Sequence, residues 1–210
     1  MNIKSSQAPG FYLDTLPDIS NTDCKELIRS IEIQADTSDV FVWLNQLRVA
    51  PYSYDFLDNR SIKSPRYVIK NLPPLKINAH FLLAFHIYRF KENSFIAARF
   101  CEPINTPVDR YINGLYIEYR LIENGSKTEL WCKIKGFVKK DISSRGFFFV
   151  FRVINKFMMI RQLKIIKKLS QRLAQGKVET KIHDIKSSYA QSGLHWWLFC
   201  RRHNCKGLIT

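Results

Sequence analysis

Catalysis and metal binding each need particular side chains at particular separations. Asp55 and Asp58 stand three residues apart, so on a helical turn they share a face and could divide acid and base work between two carboxylates. The same pair also reads as a helix cap and a turn residue. Tyr52 and Tyr54 offer phenols to a ligand, or rings to a core. His86 and Arg99 face each other if the chain reverses near Lys91-Glu92-Asn93. Inside a cavity that pair would hold a carboxylate or phosphate; on an outer face it would be solvated. The run from His195 through Cys200 and His203 to Cys205 has metal-ligand types without a common zinc spacing. No Gly-rich phosphate loop and no Ser-His-Asp order is visible. Asp55, His86 and Arg99 are thus weak catalytic candidates, and neither a metal nor a cofactor is expected.

These residues sit on elements whose periodicity is readable. Leu27 to Ala35 alternates Ile31 and Ile33 with Glu32 and Gln34, a strand pattern. Apolar residues from Val40 to Leu47 then recur at helical spacing, and Pro51 closes a helix placed at 38–49. Ser53 begins a second, short helical turn, and the segment YVIKNL between prolines reads as an edge strand. Two hairpins follow. The first sets Phe81, Phe85, Ile87, Ile96, Ala98 and Phe100 on one face, with His86, Tyr88 and Arg99 on the other. In the second, Asn124-Gly125 is placed in the turn. Leu115, Ile117, Tyr119, Leu121, Cys132 and Ile134 then share an apolar face, and the other face is largely charged and solvent-facing. From Ser143 to Gln175 no proline occurs, and Phe149, Val153, Phe157, Ile160, Leu163, Ile166, Leu169 and Leu173 step by three or four. Ser143 or Ser144 caps this helix of about 33 residues, and Gly176 ends it.

Charge is segregated along the 210 residues. Of the net +15, residues 1–138 carry +2 and residues 139–210 carry +13. Such a balance points to an anionic partner. Five scattered cysteines and an N-terminus without an apolar h-region suggest free thiols and a cytoplasmic protein. No apolar run is long enough to span a bilayer.

The element order gives an α+β architecture: an antiparallel sheet of about six strands curved around one long helix, with two short helices after the first strand. The division is an irregular lead-in over 1–26, a domain over 27–176 and a basic tail over 177–210. Over residues 28–176 the chain resembles the START-like superfamily of helix-grip proteins, which includes polyketide cyclases and lipid-transfer domains. The most specific resemblance is to a bacterial SRPBCC branch. There a helix carrying a tryptophan, as Trp43 stands here, leads into a block similar to Ala50-Pro51-Tyr52-Ser53-Tyr54-Asp55-Phe56-Leu57-Asp58-Asn59, running on to Ser64-Pro65-Arg66. Relatives carry glycines where this chain has Arg60 to Lys63. The resemblance implies a pocket for an apolar or amphipathic small molecule.

The expected cavity lining is Trp43, Tyr52, Tyr54, Phe85, Phe100, Leu115, Ile117, Tyr119, Ile134, Phe149, Val153 and Phe157. The primary expectation is binding or transport of a hydrophobic or lipid-like molecule. The alternative is an enzyme of cyclase or hydrolase type using the same cavity. The acid-poor helix adds a second expectation, peripheral attachment to an anionic membrane through Lys164, Lys167, Lys168 and Arg172, with Trp196 and Trp197 at the interface. Nucleic acid is the less favoured partner, because the aromatics do not interleave with the basic residues as a stacking platform.

Overall fold

The computed structural model describes residues 8–50, 52, 64–82, 85–100 and 110–182. Strand β1 (Thr22–Ile33) leads into helix α1 (Thr37–Gln46). The short strands β2 (Val68–Ile69) and β3 (His80–Phe81) follow, then β4 (Phe85–Lys91), β5 (Phe95–Phe100), β6 (Ile112–Asn124) and β7 (Lys127–Lys139). Helix α2 (Ile142–Ala174) and the short β8 (Thr180–Lys181) complete the order. Six strands form one antiparallel sheet, β1-β7-β6-β5-β4-β3, and α2 packs on its inner side against β1, β7 and α1. The segment read as an edge strand, YVIKNL, supplies only β2, which pairs in parallel with β8 in a separate two-stranded sheet.

The hairpins show what sequence pattern controls and what turn chemistry controls. At the first, Lys91 pairs with Phe95 across Glu92-Asn93-Ser94, with Asn93 at φ 53° in the left-handed region a three-residue loop requires. A register shift between Ile87 and Arg89 bulges β4. At the second, the turn is one residue later than Asn124-Gly125. Asn124 pairs with Lys127, and only Gly125, at φ 60°, is left-handed. A type I′ turn on Asn124-Gly125 would need both of those residues at positive φ, whereas glycine at the first central position suits type II′. Moving the loop by one residue moves each partner by two, so faces survive. Tyr119 meets Cys132, Ile117 meets Ile134 and Leu121 meets Leu130, all inward.

The outer face departs from expectation. Alternation alone makes its charges solvated, but Glu118, Lys133 and Lys135 are buried. The cover is the N-terminal segment, which is ordered around a 3-10 turn at Tyr12–Thr15. Phe11 and Leu13 pack with Trp131, the Phe11 and Trp131 rings meeting edge-on at 6.4 Å. The Leu13 N–H donates to Glu118 Oε2 at 3.0 Å, and Lys135 Nζ donates to the Leu13 carbonyl at 3.0 Å. Lys133 pairs with Asp14 and, at 2.9 Å, with Glu26. Burial opposes the charged form of Lys133, but its two carboxylate partners outweigh that and raise its pKa. Strand β1 also begins at Thr22, inside the stretch read as lead-in.

Helix α2 runs 33 residues, within one residue of the expected span. Its cap is Asp141 rather than a serine: the carboxylate accepts from the Ser144 N–H at 2.8 Å and from the Ser144 hydroxyl at 2.6 Å. At the other end Gly176 N–H reaches the Leu173 carbonyl and Lys177 N–H the Arg172 carbonyl, a Schellman pair. Gly136 on β7 lets the helix approach. A Cβ there would stand 3.2 Å from the Phe148 ring.

Candidate ligand-binding site

The interior between sheet and helix is built from inward side chains of β3 to β7, the inner side of α1 and one face of α2. The sheet contributes Phe81, Ile87, Ile117, Tyr119, Cys132 and Ile134, and α2 contributes Phe148, Met159, Leu163 and Ile166. Helix α1 sends in Trp43 and Leu44 because its apolar residues recur at helical spacing. Trp43 and Tyr52 are fully enclosed and meet edge-on at 6.2 Å. Gln46, also buried, donates to the Tyr52 hydroxyl at 2.9 Å and accepts from the Ile69 N–H at 2.7 Å, tying α1 to β2.

A few polar groups interrupt this apolar interior. The Tyr119 hydroxyl donates to Gln162 Oε1, joining β6 to α2. Cys132 lies beside Tyr119. Burial drives its thiol pKa far up, the Tyr119 hydroxyl acts the other way, and the group stays protonated. Trp43 Nε1 and Ser170 Oγ are buried with no hydrogen-bond partner. An unmet buried donor costs about 1–3 kcal/mol, so each such group calls for an explanation.

The expected site residues divide into groups. Trp43, Tyr52, Leu115, Ile117, Tyr119 and Ile134 are buried in the main core. Phe85 and Phe100 are half-buried at its margin, their rings 5.5 Å apart. Tyr54, Asp55, Trp196 and Trp197 lie outside the described residues.

Phe149, Val153 and Phe157 do not line the interior, since all three are exposed. The stripe drawn through them takes four three-residue steps from Phe157 to Leu169, and at about 100° per residue these carry it some 120° around the helix. The buried line in this half of α2 instead runs through Ser144, Phe148, Met159 and Gln162. Spacing could have found it by extending the Leu163–Ile166–Leu169 line backwards in mixed steps of four and three, through Met159 to Phe148 and Ser144, had Ser144 and Gln162 been admitted to a core.

His86 and Arg99 are paired across β4 and β5 as expected, but on the wrong side for a cavity. Arg99 pairs in turn with Tyr116, whose ring meets Tyr88 on the outer face. His80 stands beside His86, ring centres 4.6 Å apart. Burial lowers the pKa of both, and His86 is lowered further by His80 and Arg99. An enzyme reading that needs this pair inside the cavity loses it. Among the described residues no three metal-ligating side chains come together.

A six-stranded antiparallel sheet closed on its inner side by one long helix is a specific arrangement. The chain has an α+β helix-grip arrangement. Solved structures with similar folds include norcoclaurine synthase from Thalictrum flavum, at 12% identity over 72% of this chain and 97% of that one, with a TM-score of 0.48. A START superfamily protein from Mycobacterium smegmatis has 12% identity over 70% and 98%, with a TM-score of 0.42. A major latex-like protein from Panax ginseng has 13% identity over 69% and 96%, with a TM-score of 0.41. No family model and no curated protein matches the sequence. Likenesses this distant concern the fold alone, and the activities in those names belong to those proteins.

Proposed function

We propose that this helix-grip chain binds an apolar small molecule that carries a hydrogen-bond acceptor at one end, held between the sheet and α2. The observation that carries the reading is Trp43 Nε1: a fully buried donor with no partner, in a largely apolar core. A carbonyl or hydroxyl oxygen of a bound molecule would satisfy it, and the apolar remainder of that molecule would lie against the sheet. Tyr119 and Gln162 form a second polar point where β6 meets α2. The reading favours binding over catalysis, because the paired His86 and Arg99 sit on the outer face.

The test uses Trp43→Phe. The change removes an unsatisfied donor while keeping an aromatic ring, so thermal stability of the ligand-free protein should hold or rise, and affinity for an acceptor-bearing apolar probe such as a long-chain fatty acid should fall about tenfold. Equal probe affinity in both proteins would overturn the assignment of Trp43 as the anchoring donor.

A further inference from the structure

The outward side of α2 has a pattern that the interior does not need. Ile142, Phe149, Val153 and Phe157 fall on one line along the helix at spacings of seven, four and four, and Val150 and Ile154 widen it. All six are exposed, Phe149 at 68% and Phe157 at 69%. The same line then continues through Lys164, Lys168, Gln171 and Gln175, with Arg161 and Arg172 beside it. One helix face therefore changes character half-way: an apolar ridge about 22 Å long, counting 1.5 Å per residue from Ile142 to Phe157, and then a basic stretch. Arg145, Arg152 and Lys156 run along one flank of the ridge, all exposed. Helix α2 holds eight basic side chains and no acidic one.

We infer that this outward face docks on an anionic lipid bilayer, with the Phe149–Phe157 ridge seated at the headgroup–acyl boundary and the basic stretch lying on the headgroups. Soluble monomers seldom leave so contiguous an apolar ridge uncovered. Apolar insertion and a basic cluster together supply the two weak anchors that stable peripheral attachment takes. Charge decides among occupants. A second copy would bring the same acid-free helix face, so like charges would meet. Residues 183–210 carry four basic and one acidic side chain, so that segment is also repelled by the flanking arginines. An anionic bilayer is attracted by the same groups. No described helix is long and apolar enough to cross a membrane, so the contact is peripheral. The site is separate from the ligand interior, since the two occupy opposite faces of α2.

The experiment is sedimentation of the full-length chain with vesicles of phosphatidylcholine alone or mixed with phosphatidylglycerol, at low and high salt. Binding should require the anionic lipid and weaken as salt screens the charge. Phe149→Gln with Phe157→Gln should weaken it about a hundredfold, roughly a factor of ten for each ring kept out of the acyl boundary. Phe149→Leu with Phe157→Leu should retain most of it. Both pairs are at exposed positions, and unchanged thermal unfolding would show that the fold is intact. The inference is overturned if the wild-type chain ignores anionic vesicles at low salt, or if the glutamine pair binds like wild type. It is overturned equally if light scattering shows a dimer that the glutamine pair abolishes. Loss of binding in Trp196→Ala with Trp197→Ala, alongside full binding by the glutamine pair, would assign the anchor to the tail and refute the ridge.

Discussion

Glu118→Ala tests whether the covered outer face holds the N-terminal segment to the sheet. Glu118 is fully buried and is opposed across the strands by Lys133. Its Oε1 accepts from Arg120 Nε at 2.8 Å and Nη2 at 2.7 Å, and its Oε2 accepts from the Leu13 N–H at 3.0 Å. Alanine removes the acceptor for all three donors. It leaves the Leu13 N–H buried without a partner, at a cost of about 1–3 kcal/mol. It also strands the mostly buried Arg120 guanidinium, and breaking one side of a buried ion pair costs about 3–5 kcal/mol in all. These figures overlap, so the total expected is about 4 kcal/mol. With a urea slope of about 2 kcal/mol per molar, the unfolding midpoint should drop by about 2 M. Glu118→Gln, which keeps one acceptor oxygen, should lose less than half of that. The segment should also loosen before the domain unfolds, so chymotrypsin should cut the alanine variant near Phe11 and Tyr12 in the absence of denaturant. A loss under about 1 kcal/mol with no new cleavage would refute the network as the tie between Leu13 and the sheet.

Three further outcomes follow from the packing. Asp141→Ala removes the cap on α2 and should lower Tm by a few degrees in thermal unfolding, while Ser143→Ala should leave it unchanged. Gly136→Val pushes side-chain atoms into the Phe148 ring and should cost about 1–3 kcal/mol by urea unfolding, part of which Phe148→Leu in the same chain should recover. His80 and His86 have folded pKa values below the ordinary 6.5 because burial disfavours their charged forms. Their unfolded forms take up protons first, so their stabilisation is complete above about pH 6.5 and is lost as the pH falls from there through the lowered folded values. Tm followed across that window should decline less steeply in His80→Gln with His86→Gln; an unchanged slope would place the titration elsewhere.

Much of the fold was legible because hydrophobic parity and helix ends are local signals. The inward set on β6 and β7 could be read even with the turn misplaced by one residue, since that error shifts partners by two and leaves every side chain on its own face. The ends of α2 were marked by Gly176 and by the absence of proline. What pattern could not supply was any choice made by tertiary contact. From Phe147 to Phe151 every position is apolar, so both sides of α2 look like a core and periodicity cannot say which one meets the sheet. The buried line includes Ser144 and Gln162, each held by a partner that lies outside its own side-chain pattern, Asp141 for one and Tyr119 for the other. The same holds for Glu118 and Lys133: charged residues on a sheet face read as solvated until the distant Leu13 and Asp14 are seen to cover them. His86 opposite Arg99 followed from the turn, but whether that row faced inward depended on Phe81, Ile87 and Ile96 filling the interior instead.

The central claim is that an apolar molecule occupies the interior and not the exposed ridge. Methyl-resolved NMR separates the two, because Ile117, Ile134, Met159 and Ile166 report the interior while Ile142, Val150, Val153 and Ile154 report the outward face of α2. On addition of a long-chain fatty acid below its micelle concentration, the account predicts shift changes and intermolecular contacts at the interior methyls, reduced in Trp43→Phe, with the outward methyls nearly unmoved. Contacts confined to the outward methyls, or no change at Ile117, Ile134 and Met159, would contradict it.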